Sequence, residues 1–189
     1  LSSDKPKEVI NAVEWLSSTH AHGVPHTKLH DYITELFTHR DDQVRLAALE
    51  AVDKLGLELK TAQLRKLTAE DYSPLIREVA ARIVSKNAPS IGNELLYRPD
   101  MAVRKGAILG LLSGEPNHSF ALTALEAMRQ NSNANSQLAT LTIVRSLKLT
   151  RYIDFVKESF GHPVAEVVGG AHVAAGARII KDHAARRAL

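Results

Sequence analysis

Histidine is concentrated near the start of this 189-residue chain, where the spacing of its side chains could support metal binding. His20, His22, His26 and His30 fall within a short stretch. If a helix begins near His26, His26 and His30 lie one turn apart on one face, and two imidazoles so placed can share a zinc or nickel ion. Metal ligands are usually held on rigid elements with supporting partners, whereas residues 17–25 have the composition of a loop. A polar loop without a bound ion is therefore the favoured interpretation.

Basic side chains form a second group with a chemical use, because they could bind an acidic partner. Seven of them fall on or beside segments predicted to be the second helix of successive helical pairs: Lys28, Lys60, Arg65, Lys66, Arg129, Arg151 and Lys157. Acidic residues lie on the same segments, so the predicted surface is mixed in charge. Residues 98–189 hold 12 Lys and Arg against 7 Asp and Glu, an excess that falls short of a dedicated DNA-binding face.

No catalytic arrangement is found in the sequence. The chain has no cysteine, which excludes disulfides, thiolate metal sites and a cysteine nucleophile. It also lacks the G-x-S-x-G, H-E-x-x-H, P-loop and dinucleotide-binding motifs. Gly169 and Gly170 stand within an apolar helical pattern, which indicates close packing rather than a phosphate-binding loop. We therefore expect a protein that is not an enzyme and that carries no cofactor.

The elements that would position these residues repeat along the chain. Small or apolar residues mark six predicted helices at intervals of 35, 32, 27, 32 and 32 residues: Val13, Ala48, Ala80, Ala107, Ala139 and Ala171. Apolar residues around several of these follow the spacing of one helix face. Regular self-similarity of this length is typical of stacked helical repeats. Hydrophobic residues make up 44% of the chain and aromatic residues 5%, so the core must consist mainly of small and aliphatic side chains.

Each repeat is predicted to be a pair of antiparallel helices, here called the A helix and the B helix, and no strand pattern is present. The fold is therefore expected to be all-α, with residues 1–189 forming one domain. Its units are predicted at residues 4–39, 41–69, 71–97, 98–130, 132–160 and 162–189. The A helices carry Ala and Gly on their buried faces, which would let neighbouring units approach closely.

The segment from Asp41 to Val52 resembles a HEAT repeat of the bacterial, bilin-lyase-like type. Two further segments, Ile76–Ala81 and Val103–Ile108, repeat its pattern of an apolar residue, an arginine and a small residue. The resemblance covers nearly the whole chain and is weakest at both ends. It implies a right-handed α-solenoid of about five to six helical hairpins, with the B helices lining a concave surface.

In HEAT repeats, an arginine in the first turn and an acid at the start of the A helix form a ladder between neighbouring units. The resemblance assigns this role to Asp42, Arg45, Arg77, Asp100 and Arg104. Ile10, Ser136 and Val168 occupy the arginine position in units one, five and six, so the ladder is expected to be absent there.

The ends of the chain favour a segment of a longer protein, with a C-terminal face covered by a partner as the alternative. The last predicted helix is strongly apolar, whereas a solenoid usually ends in a polar capping repeat. The longest apolar uncharged run, residues 167–177, is too short to cross a bilayer. We expect a cytoplasmic chain, which could lie at the membrane as a soluble domain of a larger protein.

These observations predict a non-enzymatic scaffold or interaction module. It would bind a protein partner, or another domain of its own chain, through the concave surface of the B helices. A nucleic-acid-binding solenoid is the first alternative, because residues 98–189 are basic. A lyase or glycosylase is the second, and it depends on the analogy of fold alone.

Overall fold

A computed structural model describes residues 5–18, 26–57 and 59–175 of the chain. These residues form eleven α-helices and three short 3₁₀ turns, and no strand occurs among them. The α-helices are α1 (Pro6–Ser18), α2 (His26–Glu35), α3 (Asp42–Leu55), α4 (Thr61–Glu70), α5 (Pro74–Asn87), α6 (Pro89–Leu95), α7 (Met101–Gly114), α8 (Ser119–Gln130), α9 (Ala134–Ser146), α10 (Ile153–Glu158) and α11 (Ala165–Ala174). The predicted all-α class is confirmed, whereas the division into units stays a prediction.

The odd-numbered helices are the A helices, and each of them contacts the next one along the chain. Contacts join α1 to α3, α3 to α5, α5 to α7, α7 to α9 and α9 to α11. The B helices lie against this row, with α4 on α5, α6 on both α5 and α7, and α8 on both α7 and α9. No described helix combines the length and the apolar composition needed to span a membrane.

Local hydrogen bonds fix where three of the A helices begin. Asp41, Asp100 and Asn133 are the N-cap residues of α3, α7 and α9, and each side chain accepts the two backbone N–H groups that follow at positions two and three. These bonds satisfy donors that have no partner within the helix. Helix α3 ends at Gly56, whose φ of 64° is left-handed and suits glycine.

One buried position recurs in the first turn of every A helix, and a second recurs one turn later. The first set is Val9, Val44, Ile76, Val103, Ser136 and Val167, and the second is Val13, Ala48, Ala80, Ala107, Thr140 and Ala171. In α9 the recurring positions are therefore Ser136 and Thr140, one residue later than the predicted frame that used Ala139. The hydroxyl of Thr140 donates to the carbonyl of Ser136 at 2.9 Å, so this buried polar group has a partner.

Glycine brings the backbones of α5 and α7 into direct contact. A Cβ atom on Gly106 would overlap the carbonyl oxygen of Glu78 and lie 2.9 Å from the Cβ of Ala81. One turn later, a Cβ on Gly110 would overlap the carbonyl oxygen of Arg82 in the same way. Only a residue without a side chain fits at these two positions, and so the sequence itself permits the close approach.

Candidate functional site

Arg45 of α3 forms a nearly buried ion pair with Asp71, which lies in the link that leads into α5. Its Nε donates to Oδ2 of Asp71 at 2.8 Å, and its Nη2 donates to Oδ1 of the same carboxylate at 3.0 Å. Its Nη1 donates to the carbonyl oxygens of His39 at 2.7 Å and Arg40 at 3.2 Å. The guanidinium therefore donates hydrogen bonds both to a carboxylate and to backbone carbonyls of the segment that leads into α3. Such two-pronged pairs are among the strongest hydrogen-bonded contacts in proteins.

Arg77 makes the equivalent contacts in the next A helix, α5. Its Nε donates to Oδ2 of Asp100 at 2.7 Å, and its Nη1 donates to the carbonyls of Asp71 and Tyr72 at 2.7 and 3.1 Å. Burial acts to raise the pKa of Asp100, but hydrogen bonds from Arg77 and from two backbone N–H groups of α7 outweigh it. The pKa of this carboxyl is therefore held below its ordinary value.

Other members of the expected ladder are placed differently. Asp42 is exposed and pairs with none of the described arginines, and its carboxylate accepts a hydrogen bond from the side-chain amide of Gln43 at 3.5 Å. The acid that pairs with Arg45 is Asp71, which stands two residues before the cap of the following A helix. Arg104 has no carboxylate partner in the described part of the chain, and its Nη2 lies 3.8 Å from the sulfur of Met101.

In α9 the side chain that makes a contact similar to those of Arg45 and Arg77 belongs to Gln137, one residue after Ser136. Gln137 donates its side-chain amide to the carbonyl of Asn131 at 3.3 Å. That carbonyl lies six residues earlier, as do the carbonyls that Arg45 and Arg77 reach. Ser136 is instead a buried position of α9. The difference follows from the one-residue shift of frame in this helix.

A second set of ion pairs crosses between A helices and was missed by the sequence analysis. Asp53 of α3 pairs with Arg82 and Lys86 of α5, each at 3.1 Å. Lys105 of α7 pairs with Glu78 of α5 at 2.6 Å. These partners are far apart in the chain, and only the packing of neighbouring A helices brings them together.

Most of the predicted basic partner-binding residues have contacts of their own. Arg65 pairs with Glu94 at 2.6 Å, Arg129 with Glu126 at 2.5 Å and Lys157 with Asp154 at 3.2 Å, while Arg151 donates to the carbonyl of Pro116 at 3.3 Å. The Arg129 hydrogen bonds lower the pKa of Glu126. Lys28, Lys60 and Lys66 are exposed and form no ion pair within the described ranges. Three of these seven cations are therefore neutralised by acids, and the other four are not paired with an acid among the described residues.

The histidine cluster lies partly outside the described residues. His20 and His22 fall in an interval that the structure does not describe, and His26 is the first residue of α2. Nδ1 of His30 lies 3.3 Å from a carboxylate oxygen of Asp31. Among the described residues, no group of three or more histidine and acidic side chains is placed to hold a metal ion.

A groove of about 750 Å³ opens beside the Arg45–Asp71 pair. It lies between the end of the α2 region, the start of α3, the second half of α4 and the link into α5. The side chains of Phe37, Leu67 and Pro74 give it apolar surface. Tyr72, which is 96% exposed, stands on the link that borders it. The arrangement offers an apolar cleft with an aromatic side chain at its edge.

Before four of the A helices, the residue two positions ahead of the N-cap carries a side-chain hydrogen-bond acceptor. His39, Asp71, Asn131 and His162 each accept the backbone N–H two residues later, at 3.1, 2.9, 2.9 and 3.1 Å. The histidines do so through Nδ1. A sequence search for Asn, Asp or His two residues before each predicted cap could have found this feature.

The fold and these surfaces define an all-helical protein in which ion pairs join successive A helices. No known protein family, curated protein or solved structure matches the chain.

Proposed function

We propose that this chain is a non-enzymatic interaction module built as a right-handed α-solenoid of HEAT-like hairpins. It binds a protein partner, or another domain of its own chain, through the surface of its B helices. The row of contacting A helices supports this arrangement, as do the arginine–aspartate links at Arg45 and Arg77. Binding depends on the shape and polarity of the surface and involves no covalent step.

The groove beside Tyr72 is the observation that carries this proposal. Protein interfaces concentrate aromatic side chains at a desolvated centre, surrounded by a polar rim. Leu67 and Phe37 supply an apolar floor here, and Lys66 and Glu70 supply charged groups of both signs at the rim. A fully exposed tyrosine loses little conformational entropy when it is covered, because it has only two side-chain torsions. The groove therefore suits an apolar side chain of a partner, held between polar contacts.

The nucleic-acid alternative is less well supported by the charges. Arg65, Arg129 and Lys157 are paired with acids, which would have to be displaced before these cations could contact phosphates. Counterion release, which drives phosphate binding, needs several available cations along one surface. A protein partner with mixed polarity fits the pairing better.

Site-specific photo-crosslinking tests the proposal. A photoreactive phenylalanine analogue is placed at Tyr72 in the groove, and a matched variant carries it at Trp15, which is 62% exposed on α1. Both proteins are irradiated in a lysate of the cells from which the chain comes. We expect a discrete higher-mass species from the Tyr72 position that is absent from the Trp15 position.

A competition step makes the result specific. The crosslink at Tyr72 is expected to fall when unlabelled wild-type chain is added in excess, but not when the added chain carries Leu67→Asp, which places a charge on the apolar floor. Crosslinks of equal yield at both positions, or none at either, would show that the groove is not a binding surface.

A further inference from the structure

The first-turn arginines of α3, α5 and α7 have the same place in their units but different surroundings. Arg45 and Arg77 each bind a carboxylate and two backbone carbonyls. Arg104 binds neither, and its Nε is buried without a hydrogen-bond partner among the described residues. A buried donor that carries charge and lacks a partner is costly. Because Arg104 as a whole is only partly buried, rotation of its side chain can present the guanidinium to an anion.

Arg104 lacks a carboxylate partner in the described ranges because the residue that corresponds to Asp71 is an asparagine, whose side chain has a nitrogen in place of one oxygen. Oδ1 of Asp71 accepts hydrogen bonds from the N–H of Ser73 at 2.9 Å and from Nη2 of Arg45 at 3.0 Å, and Oδ2 accepts one from Nε of Arg45 at 2.8 Å. Asn131 stands at the corresponding place before α9, and its Oδ1 accepts the N–H of Asn133 at 2.9 Å. The second atom of this side chain is an amide nitrogen, which can only donate. Asn131 therefore preserves the turn but cannot form the two-pronged ion pair that Asp71 forms with an arginine.

The other position that could supply an acid is also an amide. Asp100, the cap of α7, pairs with Arg77, whereas the cap of α9 is Asn133. Its Oδ1 accepts the backbone N–H groups of α9 at 2.9 and 3.4 Å, and its remaining atom is again a nitrogen. Both places that hold a carboxylate in the preceding units thus lack one here.

We propose that Arg104 is a carboxylate-binding site that takes an aspartate or glutamate side chain of the protein partner. This inference rests on the proposed function, since it names one chemical group of the partner. A carboxylate can bridge two N–H donors of a guanidinium, as Asp71 does with Arg45. The partner's acid would complete the contact that the chain itself completes in the two preceding units.

Nitrogen-15 NMR of the arginine side chains tests the proposal on the full chain. The Nε–Hε signal of Arg104 is assigned from its loss in Arg104→Lys. The probe is the blocked tripeptide acetyl-Gly-Glu-Gly-amide, and its neutral counterpart acetyl-Gly-Gln-Gly-amide is the matched control. We expect a shift of the Arg104 signal that grows and saturates with the glutamate peptide and is absent with the glutamine peptide.

The variant Asn131→Asp adds the carboxylate within the chain. We expect it to move the Arg104 signal without any peptide, to abolish the response to the glutamate peptide and to raise the urea midpoint of unfolding. Three results would overturn the site: no shift in the wild type, an equal shift with both peptides, or a response that survives in Asn131→Asp. The crosslink at Tyr72 does not involve Arg104. Its failure would therefore count against the proposed function, whereas failure of the NMR titration would count against the Arg104 site.

Discussion

Replacement of Gly106 by alanine tests whether backbone contact between α5 and α7 stabilises the fold. The new Cβ would overlap the carbonyl oxygen of Glu78 and crowd the Cβ of Ala81. A backbone carbonyl cannot rotate away as a side chain can. The two helices would therefore have to separate, and the separation would weaken contacts along their whole shared face.

The magnitude follows from two opposing effects. Overpacking of a close-packed core costs about 1–3 kcal/mol and more where backbone must move. Alanine in a helix interior is favoured over glycine by about 1 kcal/mol. Because the obstacle is backbone, we take the upper end of the overpacking range for Gly106→Ala. The expected net loss in the free energy of unfolding is about 2 kcal/mol.

Gly169 provides the matched control. It lies within α11, and a Cβ built there meets no atom within 4 Å. The same substitution at Gly169 should therefore gain helix propensity without a clash, with an expected stabilisation of up to about 1 kcal/mol. Urea-induced unfolding followed by far-ultraviolet circular dichroism gives both free energies and the slope of the transition.

The two variants together decide the question. A Gly106→Ala protein as stable as the wild type would refute the argument that α5 and α7 touch through glycine. An equal loss in both variants would show that the effect belongs to glycine replacement in general. A further variant, Gly110→Ala, should behave like Gly106→Ala because it meets the carbonyl oxygen of Arg82.

Two further predictions concern the links between units. Asp100→Asn keeps a capping oxygen for α7 but removes the ion pair with Arg77, so we expect a loss of about 1 kcal/mol at pH 7 in urea unfolding. Because the pKa of Asp100 is lowered in the folded state, this contribution is present above about pH 4 and fades as the pH falls further; a difference between the two proteins that persists undiminished at pH 2 would contradict this assignment. His162→Ala leaves the N–H of Val164 without its acceptor and should cost about 1 kcal/mol in thermal unfolding, whereas His162→Asn should restore most of the loss. Equal melting temperatures for the alanine and asparagine variants would show that the hydrogen bond is immaterial.

The starts of the A helices could be predicted because their causes are local. A side chain such as Asp41 or Asp100 bonds to N–H groups two and three residues away, so the signal lies within one short stretch of sequence. The buried faces of α3, α5 and α7 follow from apolar spacing for the same reason. These features needed no knowledge of how the helices pack.

The frame of α9 could not be predicted from hydrophobicity. Its recurring buried positions hold Ser136 and Thr140, which an apolar pattern passes over in favour of Ala139. Thr140 is buried because its hydroxyl bonds back to its own helix, leaving the methyl group to pack. A small polar residue can therefore occupy a core position that hydrophobic patterning of the sequence does not predict.

The acid that pairs with Arg45 was missed because Asp71 lies outside any helix. The two residues are 26 positions apart and meet only because α3 and α5 are neighbours. The resemblance to HEAT repeats indicated Asp42, which is the first residue of α3 but is exposed to solvent. Pairings of this kind depend on the three-dimensional arrangement, and a single sequence does not specify them.

The side-chain acceptor found two residues before the N-cap of four A helices affects how the helical pairs can be compared with one another. Imidazole, carboxylate and amide groups all do the same task at His39, Asp71, Asn131 and His162. An alignment that scores letter identity treats these as mismatches, although the atom that matters is conserved in geometry. Similarity between these helical pairs is therefore better measured by whether the side chain at this position offers a hydrogen-bond acceptor than by its residue type.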